Sequence, residues 1–254
     1  MRAELTLSYS TLYGFLLVFA RIAGAFTFIP LPGIARGPAA ARIAVSLAVT
    51  VALFPLWPAP EMPSGAGDFA VWMAAEAAFG ITAGVAVGFL LEILAAGFQA
   101  LGLQAGFSYA STIDPNTQAD SSVLLVLAQL MSGWLFFAFG LDRQVLRIFA
   151  HSLAAHPPGH FAVSGSAAEA VIGLGGGMLS TGLRLALPVI VLLLLVDLAL
   201  ALLGRMHQQM QLLSLAFPAK MIAALLLLAG TLAVFIPVWR AAAERTLNVL
   251  GRIL

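Results

Sequence analysis

Six ionisable side chains stand inside long apolar runs of this sequence: Arg21, Glu76, Glu92, Arg184, Asp197 and Lys220. At a lipid-facing helix centre each would cost about 2.5–3.5 kcal/mol. They are therefore expected to face protein or water, where a charge can pair, line a pathway or carry protons. Arg184 and Asp197 lie 13 residues apart, with Pro188 between them. That spacing is about 220° around a helix, so the two cannot pair along one face. The plain reading of the whole set is structural, each charge pairing with another helix or another subunit.

Other chemistry finds little support. His151, His156 and His160 are close in sequence, and the last two have the i, i+4 spacing of a metal pair. Pro157, Pro158 and Gly159 between them forbid the helix that this spacing requires, so no metal site is assigned. Gly106-Phe107-Ser108-Tyr109 lacks the second glycine of a nucleophile elbow, and no strand precedes it. No glycine-rich loop ending in lysine is present to cradle a phosphate. The sequence reads as neither an enzyme nor the holder of a cofactor.

The elements that must position the charges are set by composition. Of 254 residues, 61% are hydrophobic and only 9% charged, with mean hydropathy +1.03. A soluble domain carries about 25% charged residues, so this chain must face lipid, other apolar subunits or both. Twelve basic residues against eleven acidic ones form no cluster, which leaves no footprint for nucleic acid. The absence of cysteine removes disulfides and thiolate metal sites. Arg2 and the apolar run from Leu12 to Ala20 superficially resemble a signal peptide. Glu4, Arg21 and the continuing hydrophobicity argue for a retained helix.

Crossing a hydrocarbon core of about 30 Å takes roughly 20 helical residues. Long apolar runs near 7–31, 39–57, 69–104, 123–150, 172–204 and 211–239 predict an all-α, integral-membrane-type fold of about six long helices. Between the runs stand Pro30-Leu31-Pro32-Gly33, the prolines 55, 58, 60 and 63, and His156-Pro157-Pro158-Gly159-His160. Pro188 and Pro237 lie inside runs and predict kinks. Basic residues do not alternate steadily between loops, as they do in an ordinary polytopic chain. Either partners set the orientation or not every helix spans.

Two further features stand out. Gly80, Gly84 and Gly88 form a smooth stripe at four-residue spacing, a signal for close helix packing. Between the third and fourth runs, "LQAGFSYASTIDPNTQADSS" interrupts the hydrophobicity with a polar, glycine- and proline-containing loop. Such a loop is tolerated at membrane depth only where it is buried in protein or lines water.

The order of these landmarks over nearly the whole chain resembles the FliR family of the bacterial flagellar export gate. "RIAGAFTFIPLPGIARGPAAARI" is similar to that family's series through Arg21, Gly24, Pro30, Gly33, Pro38 and Arg42. The central loop resembles the family's, with Gly97, Gly102, Gly106, Asp114 and Pro115 in place. "LRLALPVIVLLLLVDLALALLGRM" and "LLSLAFPAKM" are similar to its leucine-rich helix and Phe-Pro-Lys segment. After Arg205 the chain departs from the family's common Ala-Pro-Gln, reading Met206-His207-Gln208-Gln209.

The resemblance implies a FliP-like part over 1–170 followed by a FliQ-like C-terminal hairpin over 171–254. It implies a subunit of the inner-membrane protein export gate in the flagellar basal body, raised toward the periplasm. Its partners would be FliP-like and FliQ-like subunits and a gating FlhB-like subunit, with unfolded proteins in transit. The loop 106–122 would help plug the pore, Phe107, Tyr109 and Ile113 filling the path while Gly106, Asp114 and Pro115 shape its backbone. A virulence secretion homologue and a stand-alone transporter or channel are the alternatives. Kinked helices and intramembrane charges suit a transporter, but no internal repeat is visible.

Overall fold

A computed structural model describes residues 9–29, 39–57, 63, 65–107, 123–159, 165–206 and 212–253, and among them all regular structure is helical. The helices are α1 (Tyr9–Phe28), α2 (Ala39–Ala52), α3 (Ala66–Ala105), α4 (Val123–Ala138), α5 (Leu141–Ala155), α6 (Gly165–Met206) and α7 (Leu212–Ile253). A short 3-10 turn over Phe54–Leu56 follows α2. Four helices, α1, α3, α6 and α7, are long and apolar enough to cross a membrane, or five spans if α4 and α5 count together.

Two of the six expected runs take a different form. The run 39–57 yields a helix of only 14 residues, because Pro55 lacks the N–H that would continue the ladder and sits in the 3-10 turn instead. The run 123–150 is two helices, broken at Gly140, whose φ of 63° is left-handed. The last helix runs well past the expected end at 239. Its tail, "RAAAERTLNVLGRI", is too charged for a hydropathy reading but rich in good helix formers. Ala242, Ala243, Thr246 and Leu250 of that tail are buried at i, i+3/i+4 and i+7/i+8. Helical structure continues through Pro188 in α6 and through Pro218 and Pro237 in α7.

Several hydroxyl groups inside these apolar helices are satisfied locally, although buried Ser132 Oγ has no partner among the described residues. Thr82 Oγ1 donates to the Ala78 carbonyl at 2.8 Å, and Thr50 Oγ1 to the Ser46 carbonyl at 2.7 Å. Thr231 does the same toward Leu227. Such back-bonding to the preceding turn removes the cost of an unpaired hydroxyl in an apolar setting.

The chain divides into two compact units. The first comprises Met1–Phe89, Phe136–Gly175 and Glu244–Leu254. In it α1 packs on α2, and Leu17, Ile22, Phe79, Phe149 and Leu153 are buried. The second comprises Leu90–Leu135 and Gly176–Ala243, with Leu94, Phe98, Leu101, Leu193 and Phe235 buried. There the Phe98 and Phe235 rings lie 5.7 Å apart, a distance at which tilted aromatic pairs attract.

Candidate functional site

Glycines decide which charges meet in the first unit. A Cβ on Gly80 would overlap the Arg21 carbonyl, one on Gly84 the Ala25 carbonyl, and one on Gly24 would come 2.6 Å from the Ala77 oxygen. α1 and α3 therefore cross backbone to backbone, as small residues allow in membranes. Gly88 is the looser member of the stripe, its Cβ position 3.4 Å from the Phe28 oxygen.

That crossing brings Arg21 of α1 to Glu76 of α3, and both side chains are 0% exposed. Arg21 Nε donates to Glu76 Oε2 at 2.5 Å. Nη1 donates to the Ser152 carbonyl at 3.1 Å and to Ser152 Oγ at 3.2 Å. Nη2 reaches the His156 carbonyl at 2.9 Å. The guanidinium also lies 4.2 Å from the centre of the Phe79 ring, within cation–π range. The other Glu76 oxygen accepts from the Gly159 N–H at 3.0 Å. A planar fork of donors suits this task, because one arginine can hold a carboxylate and two helix-end carbonyls at once.

The network fastens the end of α5 and the turn after it onto α1 and α3. At Gly159, φ is 98°, and a Cβ would meet the Trp72 ring at 3.0 Å. His156 enters through its backbone oxygen while its side chain is exposed. α5 ends at Ala155 with His156 as its cap. His160 lies outside the described residues. Among those described, no group of three or more His, Cys, Asp or Glu could hold a metal ion.

In the second unit a similar crossing joins α3 to α6. A Cβ on Gly97 would lie 2.6 Å from the Gly182 oxygen, and one on Gly182 would overlap the Ile93 carbonyl. Asp197 of α6 meets Lys220 of α7, Nζ donating to Oδ2 at 2.7 Å. Gln104 Nε2, at the end of α3, donates to the same oxygen at 3.1 Å. This cluster is half-buried and gathers three helices on one carboxylate.

Immediately after Gln104 the chain leaves α3 through a Schellman cap. The Phe107 N–H donates to the Gly102 carbonyl at 3.0 Å and the Gly106 N–H to Leu103 at 3.3 Å. Gly106 takes φ 84°, which a side chain would disfavour. Of the loop residues singled out in the sequence, Gly106 and Phe107 belong to this cap. Tyr109, Ile113, Asp114 and Pro115 lie outside the described residues.

Four of the six charges in the apolar runs thus stand in two ion pairs, Arg21–Glu76 and Asp197–Lys220. Glu92 and Arg184 are exposed. Neither makes a hydrogen bond or ion pair among the described residues. Sequence reasoning missed Ser152, Gly159 and Gln104, which join the pairs into networks. Their only signal is position, each lying at or near a helix end where polar groups need partners.

One buried and one half-buried ion pair between helices, glycine-set backbone contacts and long apolar helices define a helical membrane protein assembled by packing. Residues 12–246 match the model of the bacterial export proteins, family 1. The chain belongs to that family. It is 28% identical over 221 residues to the flagellar biosynthetic protein FliR of Escherichia coli (strain K12), covering 85% of this chain and 83% of that one. To the flagellar biosynthetic protein FliR of Caulobacter vibrioides it is 28% identical, covering 88% and 90%. To that of Bacillus subtilis it is 25% identical, covering 94% of both chains.

Proposed function

We propose that this chain is a core subunit of a flagellar protein export gate in the bacterial inner membrane. The carrying observation is the family match over 12–246, joined to relatives of the same extent named flagellar biosynthetic protein FliR. A stand-alone transporter or channel is not favoured by that company.

Within this reading the region 1–170 is FliP-like and 171–254 is a FliQ-like hairpin. The subunit joins FliP-like and FliQ-like neighbours, with an FlhB-like subunit at the entrance, around a path for unfolded proteins. Two features of the chain support a partnered subunit. Large apolar side chains are exposed, among them Trp134 at 68% and Leu226 at 69%. Helices α3, α6 and α7 have 40, 42 and 42 residues. At 1.5 Å per residue each is about 60 Å long, twice a hydrocarbon core. Long segments outside the hydrocarbon fit a gate raised toward the periplasm.

Residues 106–122 help plug the path in this proposal, Phe107, Tyr109 and Ile113 supplying bulk beyond the cap at Gly106. The test of the whole reading is deletion of the gene. Cells should lose motility and the export of flagellar subunits, and the wild-type chain supplied in trans should restore both. Motile, exporting deletion cells would end the proposal.

A further inference from the structure

We propose that Arg184 anchors a subunit interface: the outward face of α6 docks a helix of a neighbouring gate subunit, which brings an intramembrane carboxylate to the guanidinium. The proposal rests on the reading of the chain as a gate subunit and adds a contact of stated chemistry to it.

Arg184 lies on the side of α6 turned away from α3. The α3 contacts are made by Gly182 and Ala186, and 100° per residue puts Arg184 roughly opposite them. On its own face it is flanked by Ser180 on one side and by Leu187 and Val191 on the other, all exposed. Its nearest charges along the helix are Glu169 and Asp197, each about 20 Å away. Asp197 is engaged by Lys220 and Gln104. Arg184 itself makes no hydrogen bond or ion pair among the described residues. Among the described residues, nothing answers this permanent charge on its apolar, outward face.

An arginine so placed needs an anion, and a planar guanidinium fits a carboxylate bidentately. A protein helix suits the face better than a lipid phosphate. Gly177, two turns from Arg184 on the same side, has nothing within 4 Å of where a Cβ would stand, and Ser180 is small. A smooth approach of this kind lets another backbone come close. A lipid headgroup would have no use for it.

The sign of one substitution separates these occupants. The gate complex is co-expressed with its partner subunits, extracted in mild detergent and quantified. Arg184→Leu should lower recovery of the complex about tenfold or more, because it strands the partner's carboxylate. Arg184→Lys should retain most of it. Were the arginine facing lipid or water, its removal from an apolar helix would leave recovery equal or raise it, and that result would overturn the proposal. A photo-reactive benzoyl-phenylalanine at Leu187, one turn further along, should yield a protein–protein adduct within the complex; adducts with lipid alone would overturn it. Changing the carboxylate nearest that cross-link to leucine should restore recovery of Arg184→Leu, since a pair replaced on both sides strands nothing. Failure of every such change to restore it would also overturn the pairing. Wild-type chain that does not assemble with these partners at all would defeat the gate reading itself, and with it this contact.

Discussion

Arg21 and Glu76 are the residues whose environment leaves least freedom. Both are fully buried, and the carboxylate and guanidinium are saturated by one another, by Ser152, and by backbone groups of residues 152, 156 and 159. Taking one partner away leaves a bare charge in an apolar interior, at a cost of about 3–5 kcal/mol, whereas replacing both with apolar residues of similar size is often far milder. Glu76→Ala and Arg21→Ala should each sharply reduce the thermal stability of the detergent-extracted complex. Arg21→Met combined with Glu76→Leu should recover much of that loss, although the carbonyls of Ser152 and His156 lose their donor. A double variant as unstable as the worse single one would mean that the tie to α5, not the ion pair, carries the stability. The sequence disclosed which residues were out of place in apolar runs, because charge against hydropathy is a local signal. Which charges meet was not legible: Arg21 and Glu76 are 55 positions apart, and only the α1–α3 crossing joins them. Asp197 likewise meets Lys220 through the approach of α6 and α7, a fact that no spacing rule contains.

At the scale of elements, the glycine stripe of α3 is graded in a way the four-residue spacing conceals. Gly80 and Gly84 touch backbone of α1, while Gly88 has ordinary clearance. Gly80→Ala must push the two helices apart and so disturb the Arg21–Glu76 geometry as well. Gly88→Ala needs no such shift and gains up to about 1 kcal/mol of helix propensity. Recovery of folded protein should therefore fall for Gly80→Ala and hold or rise for Gly88→Ala; equal behaviour of the two would remove the backbone contact as an explanation. Helix existence was readable from apolar runs. Three boundaries were not, for identifiable reasons, the first being that α2 stops at Ala52 ahead of Pro55. The break at Gly140 depends on one left-handed glycine, just ahead of the polar Asp142-Arg143-Gln144 that the run 123–150 had spanned. The tail of α7 follows propensity and a buried face where hydropathy has already ended. The cap that ends α3 at Gly106 was foreshadowed by a glycine beside a polar loop, but its two hydrogen bonds could not be assigned from sequence.

For the whole molecule, the proposal with most functional content is the plug. Gln104, held by Asp197, and the cap at Gly106 fix where the chain leaves α3. The apolar bulk proposed to fill the path follows directly. Phe107→Ala with Ile113→Ala should remove that bulk at little cost to the helical core, since Phe107 is only half-buried and a packed core phenylalanine would cost roughly 3–5 kcal/mol. The expected result is a gate of normal composition that leaks ions or small solutes across the inner membrane. Asp114→Ala should leak less, because the role proposed for that side chain is only to shape the backbone before Pro115, as aspartate does in Asx-type turns. Asp197→Ala is a different lesion: it strands Lys220 and frees Gln104, so it should lower the amount of complex before any change in the seal. Leak must accordingly be compared at matched complex levels. Ion leak equal to wild type in the Phe107, Ile113 double variant would make 106–122 an ordinary connection between α3 and α4, while leak without loss of assembly would tie the polar interruption in this apolar chain to closing its path.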